Sequence, residues 1–194
     1  MYFKGLKIGF ALTGSFCTVE NVLSEMKNLV HSGAELTPIL STSIQRTDTR
    51  FGNAQQLLIR LKRITGKSPL QTLVEVEPIG PKELFDLLII APCTGNTLAK
   101  IALAITDDVV PMATKAHLRN DRPVVIAVAT NDGLGNNARN IGLLLNFKNI
   151  FFVPFGQDNP VQKRNSLISR MELMSNTAEY ALRGEQLQPV LIQH

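Results

Sequence analysis

Short runs of aliphatic and β-branched residues alternate with segments of helical period along most of this chain. That alternation constrains the fold more than any other feature. Lys7–Leu12, Glu35–Leu40, Leu87–Ala91, Val124–Ala129 and Ile150–Val153 are apolar and of strand length. Between the first two, Val19, Val22, Leu23, Met26, Leu29 and Val30 recur on one face of a helix over Thr18–Ser32. Comparable patterns cover Ala54–Ile64, Leu98–Ile105, Val110–Leu118 and Asn140–Phe147, with Gly33 and Gly66 placed where helices end. Strand and helix in alternation imply βαβ units, hence a parallel sheet covered on both faces. The expected fold is therefore α/β: a three-layer sandwich with a parallel sheet, Rossmann-like or flavodoxin-like. Leu73–Val76 reads as a further short strand and Ile150–Val153 as the last strand of the sheet. After Gly156 the chain reads as a polar turn, a helix near Ser166–Leu182 and an extended tail, Gln188–Ile192.

With 194 residues, 44% of them hydrophobic, the chain can bury one sizeable core. A single domain over 1–194 is expected, its last helix and tail (from about residue 160) packing on it or on a partner. The apolar runs are too short to span a bilayer. The opening Met1–Lys7 lacks the apolar core and cleavage site of a signal peptide. Cys17 and Cys93 make no disulfide framework, which suits reduced thiols and a cytoplasmic location. The net charge of +4 is scattered: only Arg60, Lys62 and Arg63 cluster, on the polar face of a helical pattern. Neither a nucleic acid nor a membrane is an expected partner. A small anion or a phosphate suits the modest positive balance.

The chemistry should lie at the carboxyl ends of the strands, where open α/β sheets bind ligands. Four such ends are rich in small hydroxyl and amide residues: Thr13–Ser15, Ser41–Ser43, Cys93–Thr97 and Thr130–Gly133. A helix N-terminus offers free N–H groups and partial positive charge to a phosphate, and glycine lets the backbone approach it. Each loop taken alone is also an ordinary helix cap; four converging on one edge point to a pocket. Gly9 and Gly14 lack the G-x-G-x-x-G spacing of a dinucleotide site, which favours a mononucleotide. Arg46 and Arg50 follow the second strand, where a guanidinium could pair bidentately with a carboxylate or lie on the surface. Cys17 reads as a small buried hydrophobe, although a thiol near a helix N-terminus can also become acidic. His31 and His117 sit near helix ends, a surface placement, and His194 is the last residue. No cysteine–histidine set has metal-ligand spacing, so no metal is expected. Nucleophile-elbow and Walker motifs are absent from the sequence.

Ala91-Pro-Cys-Thr-Gly-Asn-Thr-Leu-Ala-Lys-Ile-Ala102, continued by Ala104-Ile-Thr-Asp-Asp108, closely resembles a signature of the homo-oligomeric flavin-containing decarboxylase family, A-P-A-(S/T)-A-N-T-x-x-K-x-A followed by G-I-x-D-N. Ile126-Ala-Val-Ala-Thr-Asn131 is similar to that family's P-A-M-N motif. The resemblance implies an FMN site formed by Gly14, Ser15, Phe16, Ser41, Ser43, Cys93, Thr94, Asn96, Thr97 and Thr130, with Asn131 taking part in catalysis. Thr47-Asp-Thr-Arg-Phe-Gly52, Arg119-Asn-Asp-Arg-Pro-Val-Val125, Thr130-Asn-Asp-Gly-Leu-Gly135, Asn149-Ile-Phe-Phe-Val-Pro-Phe-Gly-Gln-Asp158 and Gln186-Leu-Gln-Pro189 narrow the likeness. They resemble a branch whose members work beside an A subunit carrying its own dinucleotide-type domain, where NAD(P) would sit. That branch oxidises dihydrodipicolinate to dipicolinic acid during sporulation. For this chain the likeness implies an oxidoreductase subunit in a mother cell, a small dicarboxylate substrate held by Arg46 and Arg50, and a trimer-based homo-oligomer. Two other readings stand beside it: an FMN-dependent decarboxylase, and a non-catalytic partner that stabilises the A subunit. Decarboxylating relatives carry a histidine shortly before the A-P-x-x-x-N-T strand, and Leu73–Pro81 has none. Val128 and Thr130 also replace the proline and methionine of P-A-M-N.

Overall fold

The computed structural model describes residues 2–50 and 52–193. Met1 and His194 at the chain ends, and Phe51 in the Thr47–Gly52 stretch, lie outside the described residues. In chain order the elements are β1 (Lys7–Leu12), α1 (Val19–His31), β2 (Glu35–Leu40), α2 (Thr42–Arg46), α3 (Ala54–Thr65), α4 (Leu73–Val76), β3 (Leu87–Cys93), α5 (Gly95–Ala102), α6 (Val109–Leu118), β4 (Val124–Thr130), α7 (Ala138–Leu145), β5 (Ile150–Phe152), β6 (Phe155–Gly156), β7 (Leu167–Ser169) and α8 (Met174–Leu182).

β2, β1, β3, β4 and β5 lie side by side in that order, all parallel. Because strand side chains alternate between faces, each strand feeds two cores. Ile8, Phe10, Leu12, Leu87, Ile89, Val125 and Ala127 meet α1, α3 and α8 through Leu23, Met26, Leu61 and Met174. Leu88, Ile90, Val124, Ile126 and Val128 meet α5, α6 and α7 through Leu98, Val110 and Leu144 on the other face. The buried strands read as continuous apolar runs for this reason, as parallel sheets covered on both faces do. The result is the three-layer α/β sandwich expected from the alternation.

Local physics explains where the elements stop. Asn53 caps α3 by accepting from the Gln55 and Gln56 amides, and Gly66 ends it at φ 71°, a left-handed position natural to glycine. Leu73–Val76 is a helical turn, not the strand expected from its β-branched residues. Thr72 and Glu75 form a reciprocal capping box that secures the helical conformation. The parallel pairing beside β2 falls instead to Leu70, which bridges Ile39.

The C-terminal third also differs from expectation. Ile150–Phe152 is not the last strand, because β6 and β7 form an antiparallel ribbon beyond it. β7 pairs with the far end of β4, Ala129 with Ile168 and Thr130 with Leu167. The helix expected over Ser166–Leu182 is consequently confined to α8, after a 3-10 turn at Met171–Leu173. The tail adds one bridge, Leu191 to Phe155.

Candidate functional site

The direction of chain travel reverses between β1 and β3: β2 lies on one side of β1, and β3 on the other. Such a reversal opens a crevice at the carboxyl ends of the strands. A cleft of about 760 Å³ occupies this place, lined by the loops after β1, β3 and β4, part of the loop after α2, and the connection between β6 and β7. That volume lies within the range of sites that hold small molecules and cofactors.

One buried hydroxyl fixes the floor. Thr13 Oγ1 donates to the Pro92 carbonyl at 2.7 Å and accepts from the Thr94 amide at 3.0 Å. The end of β1 is thereby tied to the end of β3. Thr94 in turn caps α5 by accepting from the Thr97 amide. Among the described residues no acceptor takes the Gly95 or Asn96 N–H, so the positive end of α5 keeps donors available. Gly14 allows a close approach of a second kind: a Cβ there would stand 2.9 Å from Ser43 Oγ.

The loop after β4 carries a polar cluster. Asp132 accepts from Thr130 Oγ1 and Asn137 Nδ2, and Asn137 accepts from the buried Asn140 amide at 2.8 Å. A Cβ on Gly95 would lie 2.5 Å from Asn137 Nδ2 and 2.7 Å from Asp132 Oδ1, so this cluster presses directly on the first turn of α5. Arg50 is presented by a turn in which Thr49 and Gly52 exchange backbone hydrogen bonds, and Asp48 accepts from the Asn53 side chain and the Ala54 amide.

Of the residues singled out in the sequence, Gly14, Ser15, Phe16, Thr94, Asn96, Thr130, Asn131 and Arg50 line the cleft together. The structure does not bring Ser41, Ser43, Cys93, Thr97 or Arg46 to its surface. Ser41 is buried and shares a hydrogen bond with Ser43 Oγ at 3.0 Å, so the pair backs the Gly14 turn from behind. Cys93 ends β3 pointing into the α5–α6 core, where burial pushes its thiol well up. Thr97 is spent on the cap with Thr94, and Arg46, at the end of α2, is exposed away from the cleft.

Two other expectations change. Cys17 is exposed and lines the cleft instead of packing inside. His117 is buried, not superficial. Its Nε2 lies 3.0 Å from the Pro123 carbonyl, and burial lowers its pKa to about 4. The sequence placed the Thr130–Gly133 loop at the pocket without singling out Asp132, and it offered no sign of Asn137, Asp158, Lys163 and Ser166, which also line the cleft. Among the described residues no grouping of His, Cys, Asp and Glu could hold a metal ion, and no helix is long and apolar enough to cross a membrane.

The donor set fits a phosphate-bearing mononucleotide: open amides at the start of α5, a glycine turn after β1, small hydroxyls, and apolar surface from Phe16, Ala129 and Leu167. Comparison with known proteins agrees with that geometry. Residues 3–168 match the Flavoprotein family. The chain is 46% identical to the B subunit of dipicolinate synthase from Bacillus subtilis (strain 168) over 191 residues, covering 98% of this chain and 96% of the other. It superposes on the crystal structure of the B subunit of dipicolinate synthase from Bacillus halodurans with a TM-score of 0.91 and 50% identity, covering 100% and 99% of the two chains. The FMN-dependent cysteine decarboxylase SpaF shares the fold, with a TM-score of 0.64 at 20% identity over 93% of this chain and 99% of that one. The match takes in every strand from β1 to β6 and the loops that build the cleft; the chain belongs to the Flavoprotein family.

Proposed function

We propose that this chain works as the B subunit of a dipicolinate synthase, taking part in the oxidation of dihydrodipicolinate to dipicolinic acid during sporulation. The observation that carries the reading is likeness over the full length, with 46% and 50% identity to two B subunits, including the loops that line the cleft. In this reading the Gly14–Ser15 turn and the Gly95 and Asn96 amides hold the phosphate of FMN. FMN bound there supplies a two-electron acceptor for a dihydropyridine that becomes aromatic. Asn131 orients the substrate, and Arg50 pairs with one of its carboxylates. The partner is an A subunit that carries NAD(P), the chain itself is a trimer-based homo-oligomer, and both work in the cytoplasm of the mother cell.

A decarboxylase of the same fold is the weaker alternative. The stretch before β3 that carries a histidine in decarboxylating relatives is here α4 and a 3-10 turn, with no histidine between Leu73 and Pro81. The other alternative is that this chain is a non-catalytic partner that stabilises the A subunit.

The test is FMN binding to the purified chain by fluorescence quenching, followed by dihydrodipicolinate oxidation with the A subunit, with and without this chain. Saturable FMN binding, together with oxidation that requires this chain, supports the reading. Full oxidation by the A subunit alone would overturn it.

A further inference from the structure

Asp132 is an acid set between two helix ends. Its Oδ1 comes within 2.7 Å of where a Cβ on Gly95, the first residue of α5, would stand. Its two oxygens also accept from Nδ2 of Asn137, the residue that precedes α7, at 2.9 and 2.8 Å. The groups that donate to its side chain, the Thr130 hydroxyl and the Asn137 amide, are neutral. Among the described residues Asp132 makes no ion pair. The positive ends of α5 and α7 stand where a cation otherwise would. The side chain is half-buried and lines the cleft, so the acid belongs to the cleft wall.

The same end of α5 offers the Gly95 and Asn96 amides to a phosphate, because among the described residues no acceptor takes them. A phosphate arriving there meets an acid already in place. Its hydrogen bonds to Thr130 and Asn137 hold Asp132 there, so it swings away only by breaking them. The missing Cβ of Gly95 is what lets the acid come so close. A phosphate monoester has its second pKa near 6 and carries between one and a half and two negative charges at neutral pH. Repulsion between such a group and a carboxylate is stronger in a half-buried cleft than in bulk water. The isoalloxazine and ribityl parts of a flavin, being uncharged, do not feel it.

We propose that Asp132 limits how strongly the cleft retains a phosphate-bearing flavin: its negative charge beside the first turn of α5 opposes the phosphate, so FMN is held loosely and exchanges. This rests on the cleft being a flavin site with the phosphate at α5, as argued above, and it adds the residue that weakens the grip. The opposition acts through charge at short range and not through contact, so it requires no free oxygen on Asp132. The acid that secures the β4 loop thus does so at the expense of phosphate affinity.

Fluorescence titration of the full chain with FMN and with riboflavin tests the assignment, because the two flavins differ only in the phosphate. The wild type is expected to prefer FMN by less than about tenfold. Asp132→Asn is expected to tighten FMN by about tenfold or more and to leave riboflavin within about twofold of the wild type. Asp132→Ser, neutral and without an amide to donate, is expected to tighten FMN in the same selective way. Circular dichroism melts establish that each variant is folded. A gain in folded Asp132→Asn but not in folded Asp132→Ser would overturn the proposal, since a new amide contact would then be its source. Unchanged FMN affinity in both variants, or an equal change for both flavins, would also overturn it and leave the flavin site standing. So would a wild-type preference for FMN above about tenfold, a comparison that holds even if neither variant folds. Binding of neither flavin by any of the proteins would overturn the flavin reading and the proposal together.

Discussion

Gly95 and Asp132 share one small space. A Cβ on Gly95 would come within 2.7 Å of Asp132 Oδ1, 2.6 Å of Thr130 Oγ1 and 2.5 Å of Asn137 Nδ2. The family signature carries alanine where this chain has Gly95, so the polar cluster of the β4 loop fills the volume of a methyl group. Because its members are bonded to one another, none can withdraw without breaking a hydrogen bond.

Gly95→Ala should therefore destabilise the fold by about 1–3 kcal/mol, an overpacking cost. The reduced entropy of an alanine in the unfolded chain offsets only about 0.4–1 kcal/mol of it. Urea melts measure the change. FMN affinity should fall as well, because the displaced loop carries Thr130 and Asn131. A variant as stable as the wild type would mean that the cluster retreats freely.

The two thiols should react very differently. Cys17 is exposed at the cleft and Cys93 is buried with its thiol pushed up by desolvation, so a chromogenic disulfide reagent should titrate one thiol on the native chain and the second only in denaturant. A ligand in the cleft should slow the first reaction. Modification of both thiols at similar rates in the native state would contradict the packing of β3 against α5 and α6.

His117 gives stability a pH dependence of known sign. Its folded-state pKa, about 4, lies below the ordinary value of 6.5, so the folded chain disfavours the charged ring. The neutral-state advantage is complete above pH 6.5 and is lost as pH falls toward 4, because the unfolded chain takes up the proton first. A shift of that size corresponds to about 3 kcal/mol. His117→Gln should be less stable at pH 7 yet lose less on going to pH 5, as read from urea midpoints at both pH values. Parallel losses in both proteins would assign the acid sensitivity to other groups.

Arg46 and Arg50 were equivalent as sequence positions and are not equivalent in space. Arg50 lines the cleft, whereas Arg46 closes α2 on the exposed surface. Arg50→Ala should weaken binding of a dicarboxylate such as dipicolinate by about ten- to a hundredfold, the loss of a charge-assisted hydrogen bond worth about 1.5–3 kcal/mol. Arg46→Ala should leave binding unchanged. Calorimetric titration of both variants decides the matter.

The parallel core was legible because its signals are local. β1 and β2 begin and end where their apolar runs do, and the Asn53 cap and Gly66 stop bound α3. Leu73–Val76 went astray because Val74 and Val76 favour strands, while the Thr72–Glu75 capping box, visible as T-x-x-E, weighs more in this context. In the site, Gly14, Thr94, Asn96 and Asn131 were readable because each directly follows or opens an element at a strand end. Asp158 and Lys163 were not. They reach the cleft only because β7 pairs with β4 across some forty residues of chain, and nothing in the residues near Asp158 announces that pairing. His117 shows the same limit: its place near a helix end suggested the surface, and only the packing of α6 against the sheet buries it.

One edge of β4 is shared between two neighbours, while its other edge pairs with β3. Its first half, Val124–Ile126, is zipped to β5, and its last residues, Ala129 and Thr130, to β7. The second pairing runs antiparallel and joins only two residue pairs, so it is the weaker seam. Its opening would leave the parallel sheet intact. The wall that bears Asp158 and Lys163 should therefore open before the parallel sheet does. Amide exchange at Leu167 and Ile168 should be faster than along β3, and it should slow when the cleft is filled, which would make the seam a reporter of occupancy for any ligand the cleft accepts.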